Sequence, residues 1–379
     1  MPAPKKGSKK ADGGGKNKSS KAEEEKLKRL ECITNLKREY SESCKRLGVE
    51  PLKSVQTAIG DAQQSELSLN KIVLSRQQLL SRELVAITQA FTAYNQVTTF
   101  CLWRIPLTVD SLSTITKFIT TPGCTVSTLH LMGCDLGSDS AQCLNRLAAE
   151  AKDLKFVNLD YNVNLGGRAV ASFFAGLVQA RDNYDPDATT TNQATKCISL
   201  KWADIGAECG EALSLALGVG SSLLELDLTG NPLSHSVFAH MSRALSSNSS
   251  LKSLSLASTS IPPPYQKYNA STYQPNNGIL PQLPNGEKKE INHLKLLLGS
   301  LATNTTLATL DLRGNDIGSE GGETVLQFLV DRKRNPVMPT MAVKVTEHMS
   351  SEVFKGIMEY GGMLSASKKK GGGKKGKKK

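Results

Sequence analysis

A single leucine pattern returns along most of this chain of 379 residues, and it limits the fold more than any other feature. Its clearest copy reads Leu223-x-x-Leu226-x-Leu228-x-x-Asn231-x-Leu233. The last strand leucine of each copy stands at positions 69, 102, 131, 159, 200, 228, 256 and 312. Three of the steps between these positions are 28 residues, and the two longest contain visible insertions. The chain is therefore expected to stack copies of one structural unit.

Each copy combines a strand period with a helix period. The L-x-L alternation places leucines on one face of a short strand, and a polar residue then leads out of the strand. Residues 236–245 show the helical part of the unit, because Val237, Met241, Ala244 and Leu245 recur at spacings of three and four. One such unit cannot bury its own leucines, whereas stacked units form a continuous core.

The 28-residue unit with a full helix resembles the ribonuclease-inhibitor type of leucine-rich repeat over about residues 65–332. This resemblance implies an α/β fold, a leucine-rich-repeat solenoid of about eight repeats. Its shape would be a curved horseshoe with a parallel β-sheet on the concave face and helices on the convex face.

The segments beside the repeats are predicted to cap the solenoid. Residues 22–64 are expected to form a helical N-terminal cap, and residues 333–367, which lose the pattern, a C-terminal cap. Gly48 and Pro51 end the first helix of the N-terminal cap. The alternative for this helix is a coiled coil that joins two chains. Its apolar stripe contains Leu27, Leu30, Ile33, Leu36, Tyr40, Cys44 and Leu47.

The string Tyr40-x-x-x-Cys44-x-x-Leu47-Gly48-Val49-x-Pro51 resembles the lead-in of several leucine-rich-repeat proteins of cilia and flagella, including the dynein-regulatory-complex type. That resemblance implies an axonemal scaffold.

Two polar insertions interrupt the stack, at residues 181–195 and 262–290. Insertions in solenoids form loops on one rim and often contact partners. Residues 262–265 read Pro-Pro-Pro-Tyr, which matches the PPxY ligand of WW domains. The alternative is a loop without that function.

The net charge of +12 lies at the two ends of the chain. Residues 1–21 carry seven Lys and one Asp, and residues 368–379 carry eight Lys and no acid, so the body between them is slightly negative. Both ends are rich in Lys and Gly and are expected to be disordered. They could contact the acidic tails of tubulin in a microtubule. The competing interpretation is a ribosome- or RNA-associated factor whose lysines neutralise phosphates.

The sequence carries no motif that indicates catalysis. It has no P-loop, no dinucleotide-binding glycine pattern and no metal-spaced Cys/His set, so we predict no enzyme, cofactor or metal site. Cys101 and His130 could form a nucleophile–base pair on adjacent strands, but no third group orients them. The eight cysteines include no CxxC pair and are read as buried thiols. Without a secretory signal or an apolar run that could span a bilayer, the expected location is cytoplasmic.

Residues that alternate with the strand leucines should point into the concave face. On the first strands these include large apolar groups, which in a concave surface mark a protein-binding site. The alternative is that the N-terminal helix or another segment of the chain covers them. A cytosolic inhibitor remains a further class, although the charges expected on this face are not concentrated. The predicted protein-binding residues are Trp103, His130, Met132, Phe156, Asp160 and Lys201.

Overall fold

The computed structural model describes residues 16–183, 195–261 and 292–363, with side chains described from residue 23 onward. Within these ranges, strands alternate with helices along the chain. The strands are β1 (Lys71–Ser75), β2 (Thr99–Trp103), β3 (Thr128–Met132), β4 (Phe156–Asn158), β5 (Cys197–Ser199), β6 (Glu225–Asp227), β7 (Ser253–Ser255), β8 (Thr309–Asp311) and β9 (Ala342–Lys344). The helices are α1 (Lys16–Leu47), α2 (Lys53–Ser65), α3 (Ser81–Tyr94), α4 (Val109–Thr120), α5 (Ala141–Glu150), α6 (Gly166–Asp182), α7 (Gly210–Leu217), α8 (His235–Ser247), α9 (His293–Leu301), α10 (Gly318–Arg334) and α11 (Ser351–Tyr360).

The nine strands form one parallel sheet in chain order, which confirms the predicted α/β solenoid. The repeat leucines stand in register across it, because Leu226 pairs with Leu254 and Leu254 with Leu310. All three are buried beneath the helices. The residues that alternate with them form the other face of the sheet, here called the open face, which corresponds to the predicted concave face.

Asparagines lock neighbouring repeats together where the chain leaves the strands. The side-chain oxygen of Asn162 accepts hydrogen bonds from the backbone of Cys134 and Leu136 in the preceding repeat, at 2.8 and 3.2 Å. Its amide nitrogen donates to the carbonyls of Leu131 and Leu159. Because every polar group of this buried side chain is satisfied, the asparagine fixes the stacking of one repeat on the next.

The same arrangement returns at two further repeats. Asn231 accepts from the backbone of Ala203 and Ile205. Asn315 accepts from the backbone of Thr259 and Ile261. In each case the preceding repeat lacks an asparagine at the matching position and has Cys134, Ala203 or Thr259 there.

The N-terminal cap belongs to the helical layer. Helix α1 packs against α2 and α3, with Ile33, Leu36 and Tyr40 buried, while Leu27 at the start of the predicted stripe is 67% exposed. The helix begins at Lys16, inside the segment 1–21 that the sequence analysis assigns to a disordered tail. Ion pairs at helical spacing, such as Lys28 with Glu24 at 2.7 Å, support its first turns.

The C-terminal segment also differs from the expectation. Residues 333–367, predicted as a cap without the repeat, contain strand β9 and helix α11. Val343 pairs with Leu310 and is buried, so this segment adds a ninth strand to the eight that were counted. The repeat escaped notice because Met341, Val343 and Val345 replace the leucines.

The predicted insertions and tails lie mostly outside the described residues. Helix α6 continues through Asp182, two residues into the insertion predicted at 181–195, and residues 184–194 are not described. The second insertion at 262–290, with its Pro-Pro-Pro-Tyr string, lies outside the described residues, as do the lysines at 368–379.

Candidate functional site

The open face of β2, β3 and β4 carries the predicted apolar residues at two levels along the strands. Trp103 pairs with Met132 at the end of two neighbouring strands. Phe156 begins β4 and pairs in register with Thr128, the first residue of β3. It therefore lies at the other end of these strands from Met132. His130 lies in the middle of β3, between these two levels, and the centre of its ring is 5.2 Å from that of Phe156. Trp103, Met132 and Phe156 are all half-buried, which leaves part of each available for contact.

Two arginines flank Trp103, and the sequence analysis did not anticipate them. The guanidinium carbons of Arg76 and Arg104 lie 4.7 and 5.5 Å from the centre of a Trp103 ring, within the range of cation–π attraction. Each arginine directly follows a strand and has a positive φ, of 50° and 53° respectively. The register of the repeat could have located both, because they stand two residues after Leu74 and Leu102.

Cys101 and His130 are adjacent across β2 and β3, as predicted, but their environment does not activate them. Burial raises the pKa of the Cys101 thiol, which favours its unreactive protonated form. Burial and the charge of Lys71 lower the pKa of His130. The Nδ1 atom of His130 is buried without a hydrogen-bond partner, and no side chain among the described residues orients the ring as a base.

Asp160 does not offer its carboxylate to a partner in the manner the sequence suggested. The residue is only 4% exposed. One carboxylate oxygen accepts hydrogen bonds from the Ser199 hydroxyl at 2.6 Å and from the Lys201 backbone at 2.8 Å. Because a buried carboxylate needs such donors, Asp160 joins β4 to β5 and has a structural role.

Lys201 was expected to close the far side of the site with a charge pair to a partner. Its Nζ instead lies 3.2 Å from the carboxylate of Asp227 on β6. Burial lowers the pKa of Lys201, but the Asp227 carboxylate, with smaller contributions from Asp160 and Tyr161, raises it overall. The charge of Lys201 is thus already compensated within the chain.

Further residues on or beside the open face were missed by the sequence analysis. Val73 on β1 is 47% exposed and lies beside Cys101. Tyr161 and Trp202 follow the strand positions of Asp160 and Lys201, and both are about half exposed. The Trp202 ring lies over Gly230, where a side chain would collide with it. All of them occupy fixed positions of the repeat, so its register was the signal that could have found them.

Toward the C-terminal end, the open face changes character. Its residues include small polar ones, such as Ser253 and Ser255, and some of its charged groups form ion pairs. Arg313, for example, contacts the Asp311 carboxylate at 2.6 Å. Burial alone would raise the pKa of Asp311. The hydrogen bonds and charge of Arg313, with a smaller contribution from Lys344, lower it overall.

The described part of the chain holds neither a metal-binding cluster nor a membrane-spanning helix. No group of three or more His, Cys, Asp or Glu side chains there could hold a metal ion. Over the same residues, none of the helices combines the length and apolar character needed to cross a bilayer.

A comparison with protein-family models matches the repeat. The family model described as "Leucine Rich repeat" matches residues 124–144 and 303–326. These segments cover β3 with the start of α5, and β8 with part of α10. Together with the nine-stranded parallel sheet, the match defines an α/β leucine-rich-repeat solenoid. Leucine-rich-repeat domains in general act as protein-binding scaffolds.

Two individual proteins share this likeness. The human "NACHT, LRR and PYD domains-containing protein 5" is 25% identical over 167 residues, which is 44% of this chain but only 13% of that protein. The crystal structure of the leucine-rich repeat-containing protein LegL7 from Legionella pneumophila is 17% identical, covers 77% of this chain and 90% of its own, and has a TM-score of 0.35.

Proposed function

We propose that this chain is a non-enzymatic scaffold or adaptor that holds another protein on the open face of β1 to β4. The observation that carries the proposal is the group of large apolar side chains there. Val73 is exposed, and Trp103, Met132 and Phe156 are half-buried on a face that α1 leaves uncovered. Partly exposed aromatic side chains in a shaped surface are the usual anchors of protein–protein interfaces.

The proposed setting is a large cytoplasmic assembly, the axoneme of a cilium or flagellum. Two features of the sequence support it: the lead-in from Tyr40 to Pro51, and the Lys-rich ends at 1–21 and 368–379. The ends would be held to the acidic tails of tubulin by electrostatic attraction that weakens with salt. Phosphates of ribosomal or other RNA are the competing ligand for the same lysines.

Substitution of two anchors tests the binding face. The double variant Trp103→Ala/Phe156→Ala is expected to keep its fold and to lose the proteins captured with the wild-type chain from cells, as identified by mass spectrometry. Leu215→Ala is the matched control, because it removes a 53% exposed apolar side chain from α7 in the helical layer, away from the open face. If the double variant and the control capture the same proteins, the open face of β1 to β4 is not the binding site.

The setting is tested by co-sedimentation with microtubules at low and high salt. The full chain should pellet at low salt, and a chain lacking 1–21 and 368–379 should pellet less. Equal pelleting of both chains would reject the role of the lysines. Preferential retention on RNA in a direct competition would favour the ribosome- or RNA-associated alternative.

A further inference from the structure

The N-terminal part of the open face carries positive charge that no ion pair within the described structure balances. Lys71, Arg76 and Arg104 are exposed, and no ion pair to any of them is found among the described residues. The strands β1, β2 and β3 contain no acidic residue. By contrast, Lys201 and Arg313, farther along the same sheet, both contact carboxylates.

The two arginines are also held in a defined place. Cation–π contacts with Trp103 restrain both guanidinium groups beside the apolar cluster. The backbone nitrogen of Arg76 donates to the Trp103 carbonyl and that of Arg104 to the Met132 carbonyl, at 3.0 and 2.9 Å, which fixes the positions of their Cα atoms. Over the described ranges, neither guanidinium makes a hydrogen bond to another side chain, so their N–H groups are available to an incoming acceptor.

Asp160, which follows β4, cannot neutralise these arginines. Asp160 already accepts hydrogen bonds from Ser199 and the Lys201 backbone. Burial and, to a smaller extent, the charge of Lys71 lower the pKa of His130 on β3. Two restrained guanidinium groups beside an apolar surface match a ligand that presents carboxylates next to apolar side chains, because arginine binds carboxylates through paired N–H groups.

We infer that the ligand of this face is an acidic segment of a partner protein, whose carboxylates contact Arg76 and Arg104 while its apolar side chains pack on Trp103, Met132 and Phe156. This inference rests on the proposed function, since it names the chemistry of the partner that the same face would hold. The charged groups contribute specificity and speed of association, and the aromatic side chains contribute the buried area.

Tryptophan fluorescence offers a direct test, because the chain has only two tryptophans. In the full-length Trp202→Phe variant, Trp103 is the single reporter and lies at the proposed contact. The probe is a 12-residue synthetic peptide in which glutamates flank two leucines, and the control peptide has glutamine in place of every glutamate. Reading Trp103 emission separates binding at this face from binding of the peptide to the Lys-rich ends.

The expected result is a saturable, salt-sensitive change of Trp103 emission with the glutamate peptide and a much weaker one with the glutamine peptide. Arg76→Gln/Arg104→Gln should weaken binding roughly tenfold or more, since each arginine loses a charge-assisted contact. Arg76→Lys/Arg104→Lys should restore part of it. Arg82→Gln, which removes an exposed charge on α3, is the matched control and should change nothing. Thermal unfolding of each variant verifies that the fold is intact.

Equal affinity of the glutamate peptide for the Arg76→Gln/Arg104→Gln variant and the control would overturn the inference. So would displacement of the peptide from Trp103 by a uridine oligonucleotide at lower concentration, which would assign the charges to nucleic acid. The proposed function has its own outcome. If cellular partners are lost with Trp103→Ala/Phe156→Ala but kept with Arg76→Gln/Arg104→Gln, the face binds protein without requiring an acidic ligand.

Discussion

The two ends of the open face are built on the same repeat, but they differ in which side chains remain exposed or without an ion-pair partner. On β1 to β4, Trp103 and Phe156 are partly exposed and Arg76 and Arg104 have no carboxylate partner in the described structure. From β5 to β8, serines and threonines predominate. The charged side chain of Lys201 is paired with Asp227. Both regions bury leucines in the same way, so the packing of the core does not explain why their open-face side chains differ. Residues that the fold leaves free are where a binding function can develop.

The largest expected effect tests whether the two regions share one core. Leu129→Asp on β3 and Leu254→Asp on β7 each place an unpaired charge at a side chain that is 0% exposed. Each should lower the free energy of unfolding by roughly 4 kcal/mol or more. Chemical denaturation measures this loss. Ser253→Asp on the open face is the control and should cost well under 1 kcal/mol on the same scale. A small effect at either leucine would show that the register is wrong in that region.

Lowering the pH should destabilise the C-terminal region more than the N-terminal region, by less than the leucine substitutions do. On α9, burial and the neighbouring His235 lower the pKa of His293 to about 4, and the two rings make a nitrogen–nitrogen contact of 2.6 Å. The folded pKa lies below the ordinary value, so the stability from neutral His293 is full above about pH 6.5. That stability is lost as the pH falls toward 4, by on the order of 2 kcal/mol.

Hydrogen exchange, corrected for the intrinsic effect of pH, measures this loss. From pH 7.5 to pH 5, helices α8 and α9 should lose more protection than β2 to β4. His293→Gln should abolish most of that difference, whereas His348→Gln, at an exposed position near the C-terminal helix, should leave it unchanged. Equal loss in both regions would remove the assigned role of His293.

The boundary between the regions gives a third, smaller effect. Asp160→Ala removes an acceptor from the Ser199 hydroxyl and the Lys201 backbone, and should cost about 1–2 kcal/mol because two buried donors lose their partner. Glu150→Ala, which breaks an exposed ion pair with Arg146 on α5, should cost less. Denaturant unfolding ranks the two variants. The reverse order would mean that Asp160 is not structural and is available to a ligand.

These regions also show what the sequence could and could not predict. The leucine spacing identified strands β2 to β8, their order and which of their side chains point outward, because a 28-residue unit with alternating strand positions leaves one consistent register. It misplaced the first strand, whose last leucine is Leu74 and not Leu69, since Leu74 pairs with Leu102. It could not show that Asp160 would be engaged by Ser199, since that contact joins residues 39 positions apart in separate repeats. The ninth strand was missed because its core residues are Met341, Val343 and Val345.

The arginines beside Trp103 show a second limit of prediction from the sequence. The register could place Arg76 and Arg104 after their strands, but not the direction of their side chains. A positive φ recurs at this position of the repeat, where Gly133, Gly230 and Gly314 stand in other copies, so the glycines indicated the backbone turn but not the cation–π contacts. The apolar members of the site were therefore predictable, and the charged groups beside them were not.

Site-specific photo-cross-linking in cells tests most directly the claim that the N-terminal part of the open face holds a protein. A photoreactive phenylalanine analogue would replace Met132 in one variant and Ser255, on β7 of the same face, in the other. The account predicts a discrete cross-linked protein from position 132 that is absent from position 255. Cross-links from position 132 to the chain itself, or the same products from both positions, would contradict it.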